Sequence, residues 1–235
     1  MSEKKLGVIG GMGPLATQFF YKMIIDKTDA KSDQEHIDMI IVNHAGMPDR
    51  TTAILAGDIT EVKGRLLEDA KFLADAGCDY IAVPCNTSHY MLDMIAEEVP
   101  VPFVHMIYST IDVIKEKYPA GSKVGVLATD GTIKTALYQT MLKEAGYEPI
   151  VPNAKDQKIV MSVIYDGVKD GGPIDIEGFM KVAGDLKDEG ACCVLTACTE
   201  LSCVKEQYKL SDFYLDPMAV MAEKAITLCG KNVKK

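Results

Sequence analysis

Along the chain, hydrophobic and polar positions fall into two alternating kinds of segment. Short, nearly unbroken apolar runs predict strands over 6–10, 37–42, 80–84, 101–105, 123–128, 192–197 and 213–215. Between them, longer amphipathic stretches predict helices near 15–28, 59–76, 88–97, 107–117, 133–145, 157–168, 175–189 and 217–229. Strands separated by helices make parallel sheets with crossover helices. Pro14 opens the first helix and Gly146 follows the one that ends near 145, which matches the usual start and stop preferences.

The pattern also repeats. Lys5-Leu6-Gly7-Val8-Ile9-Gly10-Gly11 resembles Lys123-Val124-Gly125-Val126-Leu127-Ala128-Thr129. Gly77-Cys78-Asp79-Tyr80-Ile81-Ala82-Val83-Pro84-Cys85 matches Gly190-Ala191-Cys192-Cys193-Val194-Leu195-Thr196-Ala197-Cys198, and 101–105 pairs loosely with 211–216. Three landmarks in the same order predict a duplicated unit. The expected fold is α/β, with two similar lobes, each a mainly parallel sheet flanked by helices. The lobes are expected to be related by pseudo-two-fold symmetry, with a site between them. Residues 1–105 plus 217–235 form the first expected lobe and 106–216 the second, with no low-complexity linker between them.

Composition narrows the function. A net charge of −9 over 235 residues argues against a nucleic-acid partner, because phosphate binding wants a basic face. The apolar segment at the N-terminus is too short for a signal peptide, and no run approaches a membrane span, so no membrane partner is expected. The seven cysteines show neither metal-ligand nor secreted-framework spacing. A reducing cytoplasm suits them and keeps the thiols free.

Ligands of open α/β sheets sit at the carboxyl ends of the strands, where Cys85, Cys198, the 10–13 loop and the 129–132 loop all fall. The stretch Gly11-Met12-Gly13-Pro14-Leu15-Ala16 meets the loose dinucleotide fingerprint. The second strand, however, ends at Val42-Asn43-His44, without the acid that a ribose needs. A tight turn, or amides that cradle a substrate carboxylate, is the preferred reading. Cys85 and Cys198 each precede a predicted helix start, with Thr87 and Thr199 as candidate caps, and a helix start lowers a thiol pKa from about 8.5. Partial thiolate character is therefore expected at both. A small buried apolar residue is the plainer reading of any intracellular cysteine, and it is adopted for Cys78, Cys192, Cys193, Cys203 and Cys229. Matched places in a repeat set Cys85 and Cys198 apart. A pocket between related halves, with one thiol from each, suits proton removal on one side of a carbon and proton return on the other.

Other candidates are weaker. Segment 46–52 reads as a polar turn, in which Arg50 is either a carboxylate clamp or a surface residue. Lys169 alone reads as a solvated lysine. His36, His44, His89 and His105 lack metal spacing, and His89 reads as a packing residue.

Gly-Gly-Met-Gly-Pro at 10–14, Pro-Asp-Arg-Thr at 48–51, Cys-Asn-Thr-Ser-His at 85–89 and Ala-Cys-Thr-Glu at 197–200 together resemble the aspartate/glutamate racemase family. The resemblance spans nearly the whole chain. It implies a cofactor-independent enzyme, without pyridoxal phosphate or metal, acting on a small amino acid and working as a homodimer. Cys85 and Cys198 would be the acid–base pair, and Asn86, Thr87 and Thr199 would bind the amino-acid head group. Met12 would lie against that group, Arg50 and Lys169 would receive acidic groups, and Asp49 and Glu200 would assist the thiols. Hydantoin racemisation, maleate isomerisation and malonate decarboxylation stay open within the superfamily. A two-lobed amino-acid-binding protein without chemistry is the reading from a different class.

Overall fold

The computed structural model describes residues 4–234. The chain divides into two compact units, one running through Ser109 and resuming at Met218, the other Thr110–Pro217.

In the first unit the elements are β1 (Leu6–Gly10), α1 (Pro14–Lys27), β2 (Met39–Asn43), α2 (Arg50–Ala56), α3 (Thr60–Asp75), β3 (Tyr80–Ala82), α4 (His89–Ile95) and β4 (Phe103–Val104). Helix α5 (Met106–Lys117) carries the chain onward. The strands pair in parallel in the order β2-β1-β3-β4. Residues of β1 alternate between the two faces of this sheet. Leu6 and Val8 join Phe20 and Ile24 of α1 in one core, whereas Ile9 joins Leu66 and Leu73 of α3 in the other. Coverage on both faces explains why the strand is a continuous apolar run.

The second unit contains β5 (Lys123–Ala128), α6 (Asp130–Thr135), α7 (Leu137–Glu144), β6 (Glu148–Ile150), α8 (Ala154–Ser162), a π-helical turn at Val163–Lys169, α9 (Ile176–Asp188), β7 (Ala191–Ala197), α10 (Thr199–Gln207) and β8 (Tyr214–Leu215). Its strand order, β6-β5-β7-β8, again parallel, repeats that of the first sheet. Helix α11 (Pro217–Leu228) then returns Met218, Met221 and Ile226 to the core of the first unit.

The repeat Lys-Leu-Gly-Val and Lys-Val-Gly-Val has a packing cause. A Cβ on Gly7 of β1 would lie 3.0 Å from a methyl of Leu73 in α3. One on Gly125 of β5 would lie 3.1 Å from a methyl of Leu186 in α9 and 2.6 Å from Val194. In each unit a helix therefore rests directly on the bare backbone of the central strand.

Several elements differ from the sequence expectation. Segment 50–56 is a helix rather than a turn, because the Asp49 carboxylate accepts from the Thr52 amide and caps it. The helix expected over 133–145 is broken at Ala136, which adopts a left-handed conformation with φ 53°. Strand β6 escaped notice because Pro149 interrupts the apolar pattern, which an edge strand tolerates. Helix α10 is the helix whose start was expected after Cys198, and it runs Thr199–Gln207. Among the described residues, no helix is long and apolar enough to cross a membrane.

Candidate active site

Both candidate cysteines lie just beyond the carboxyl end of the third strand of their own sheet, as ordered in the pairing. Cys198 follows β7 directly, and Cys85 sits three residues past β3, where Pro84 ends the ladder for want of an N–H. Each side chain is only 6% exposed.

In the first unit, the glycine loop, the 47–50 turn and the Cys85 turn meet. Gly11, at φ 86°, donates its amide to the Thr17 hydroxyl at 2.9 Å, and that hydroxyl donates in turn to the Gly13 carbonyl. The Gly11 amide is thus spent on stabilising the loop, which qualifies the expectation of a carboxylate cradle there. Met12 is buried and shares an apolar cluster with Met47 and Cys85, and the Ser88 hydroxyl donates to its sulfur at 3.5 Å. Arg50 opens α2 and is also buried, with Nη1 donating to the Met47 and Pro48 carbonyls at 3.3 and 3.0 Å. Those bonds hold one end of the guanidinium. Asn86 and Thr87 are buried in the Cys85 turn.

Neither threonine is the cap expected of it. The residue before α4 is Ser88, already helical in conformation, and the N-cap of α10 is Cys198 itself, in extended backbone. Thr87 therefore lies outside its helix and Thr199 is the first helical residue.

In the second unit the Cys198 thiol donates to Glu200 Oε2 at 2.8 Å, and the Thr199 hydroxyl reaches the same oxygen at 3.3 Å. Burial, followed by the Glu200 charge and this hydrogen bond, pushes the Cys198 thiol well above the ordinary cysteine range, while Lys169 pulls the other way. The expected partial thiolate is thus corrected. Removal from water and a carboxylate beside the sulfur outweigh the start of the helix. Lys169 ends the π-helical turn with its ammonium over the Tyr165 ring, 4.0 Å from the centroid. Tyr165 also lines a cavity of about 460 Å³ with Asp130, Gln157, Met161 and Asp166, and neither cysteine contributes to that cavity's walls.

Of the remaining thiols, Cys78, Cys193 and Cys229 are buried as expected, whereas Cys192 and Cys203 are only half-buried. Burial pushes Cys193 and Cys203 up to about 12 and Cys229 up to about 11. Among the described residues, no group of three or more His, Cys, Asp or Glu side chains is placed to hold a metal ion.

One residue that sequence reasoning set aside as mere packing touches the Cys85 turn. His89, fully buried, donates from Nδ1 to the Cys85 carbonyl at 2.9 Å and accepts at Nε2 from the Met106 amide at 3.0 Å. Its place at the first position of α4, four residues after Cys85, was the available signal.

The profile of the Asp/Glu/Hydantoin racemase family matches residues 9–225. The chain belongs to this family. Membership makes it an enzyme of the amino-acid racemase class. The racemase is 28% identical to the broad specificity amino-acid racemase RacX of Bacillus subtilis, covering 94% of this chain and 96% of that protein. It is similar to the solved Picrophilus torridus aspartate racemase, with a TM-score of 0.84 and 28% identity over 99% of this chain and 96% of that one. A solved aspartate racemase homologue from Pyrococcus horikoshii OT3 matches with a TM-score of 0.77 and 27% identity, over 97% of this racemase and 99% of that chain.

Proposed function

We propose that the enzyme interconverts L- and D-amino acids, with aspartate or glutamate as substrate, by a two-base 1,1-proton transfer in which Cys85 and Cys198 are the acid–base pair. The observation that carries this reading is the equivalence of the two thiols. Each lies past the carboxyl end of the corresponding strand in two sheets of identical order. A duplicated unit that keeps one thiol at each such end suits a reaction needing two proton carriers on opposite faces of one carbon. The reading keeps the lobe bounds 1–105 plus 217–235 and 106–216. It also includes a cofactor-free homodimer working in the cytoplasm.

For one enantiomer, Cys85 removes the α-proton as a thiolate and Cys198 delivers the proton of its S–H to the other face. The enzyme is left with a Cys85 thiol and a Cys198 thiolate, the form that accepts the opposite enantiomer. Glu200 assists by holding the Cys198 proton through the contact described above. An α-proton is far less acidic than a thiol, so the developing carbanion needs fixed charges in a dry site. The Arg50 guanidinium and Lys169 ammonium supply positive charge for the carboxylates of an acidic substrate. Met12 keeps the wall apolar, while Asn86, Thr87 and Thr199 bind the head group. Asp49, whose carboxylate also caps α2, assists the thiols alongside Glu200.

Chiral chromatography of L-aspartate, L-glutamate and a panel of other L-amino acids, incubated with the enzyme, tests the reading. Aspartate or glutamate is expected to racemise fastest, and Cys85→Ser or Cys198→Ser to lower that rate by at least about 10²-fold. Full turnover in either variant removes the two-thiol mechanism.

A further inference from the structure

We infer that His89 is a positioning residue for the Cys85 thiol, tying the turn that carries it to the first residue of α5. The inference rests on the catalytic reading of Cys85 above. Cys85 lies in the irregular segment between β3 and α4, where few ladder bonds hold the backbone, although its own amide reaches the Val83 carbonyl at 2.7 Å. The His89 ring supplies the missing restraint, because a single rigid plane bonds the Cys85 carbonyl at one nitrogen and the Met106 amide at the other. This pair of bonds specifies one tautomer, with the proton on Nδ1 and a lone pair on Nε2, and a protonated ring could not accept from the amide.

The surroundings keep the ring neutral. Burial, with the neighbouring His105, lowers the His89 pKa to about 3. His105 packs edge-on against His89 with centroids 4.7 Å apart, stacks on Tyr108 at 3.9 Å, and is itself lowered to about 4 by burial. Tyr108 donates its hydroxyl to Asp93 at 2.8 Å, fixing the outer end of this aromatic stack on α4. A clamp built this way is spread over α4, the segment after β4 and α5, and its ring reaches the thiol-bearing turn at the Cys85 carbonyl. A displacement of about 1 Å at a reacting group can cost about 10²-fold in rate. Aim of the sulfur, rather than binding of substrate, is what this bond controls.

Two isosteric variants separate the bonds. The amide nitrogen of Asn occupies the place of Nδ1, whereas Gln places its polar atoms near Nε2. Each variant is assayed for steady-state racemisation and for iodoacetamide labelling of Cys85 relative to Cys198, read by peptide mass. His89→Gln is expected to lower kcat by about 10²-fold with KM within about threefold, and to change the Cys85:Cys198 labelling ratio by at least about fivefold. His89→Asn keeps the carbonyl bond but loses the tie to Met106, so it is expected to lower kcat by about tenfold and to shift the labelling ratio in the same direction as His89→Gln. Unchanged kcat and labelling in His89→Gln overturns the inference, as does equal acceleration of labelling at both thiols, which marks general loosening. Should His89→Gln fail to fold, a His89→Asn protein with wild-type kcat and an unchanged ratio overturns it equally. The labelling arm needs no substrate, so a wild-type enzyme that racemises nothing in the panel defeats the catalytic reading while the clamp is still judged.

Discussion

At the scale of single residues, the two thiols are equivalent in position and different in surroundings. Cys198 donates to a buried carboxylate, and that contact, added to desolvation, favours its protonated form. A thiol held protonated but hydrogen-bonded is well placed to deliver its proton to a carbanion and poorly placed to react with an alkylating agent. Glu200→Gln removes the charge and leaves the burial, so the Cys198 pKa should fall. The pH profile of Cys198 alkylation is expected to move to lower pH, and an unmoved profile contradicts the role given to Glu200. The matched strand-end places of Cys85 and Cys198 were legible from the repeat alone. The protonation of Cys198 was not, because it depends on which way the Glu200 carboxyl turns once the helix has formed. The bonding of His89 was hidden for a similar reason, although its burial was expected. A buried histidine looks like filler until its two nitrogens are seen to have separate partners.

Elements show where pattern is informative and where it is not. Strands β1, β5 and β7 were legible because both faces are covered, which makes them continuous apolar runs. Edge strand β6 is half-exposed and contains Pro149, so its pattern resembles a loop. The break at Ala136 carries no glycine or proline to announce it. Glycine, by contrast, marks the contact between α9 and β5 clearly. Gly125→Ala forces a Cβ to within 2.6 Å of Val194, and overpacking of this kind costs about 1–3 kcal/mol. Gly184 in α9 has open space where its Cβ would be, so Gly184→Ala should instead stabilise by about 0.5–1 kcal/mol. Urea midpoints of the two variants check the pair, and a Gly125→Ala protein as stable as wild type contradicts the close approach.

The whole molecule repeats one design twice, with the same strand order, the same bare glycine under a helix and the same thiol position. That repetition was readable in outline before any coordinates, because it resides in apolar runs and glycines that the duplicated cores require. Side-chain selectivity was not, since it turns on a few positions in loops whose course depends on tertiary contacts. The central claim is that two different thiols handle the proton, one removing and one returning it. Racemisation of L-aspartate or L-glutamate in deuterated water, stopped early and read by mass, tests this most directly. The account predicts that the newly formed D-enantiomer carries deuterium at its α-carbon while the remaining L-enantiomer keeps protium. D-product that retains the substrate's own α-hydrogen would contradict it, for then a single group has carried the proton across.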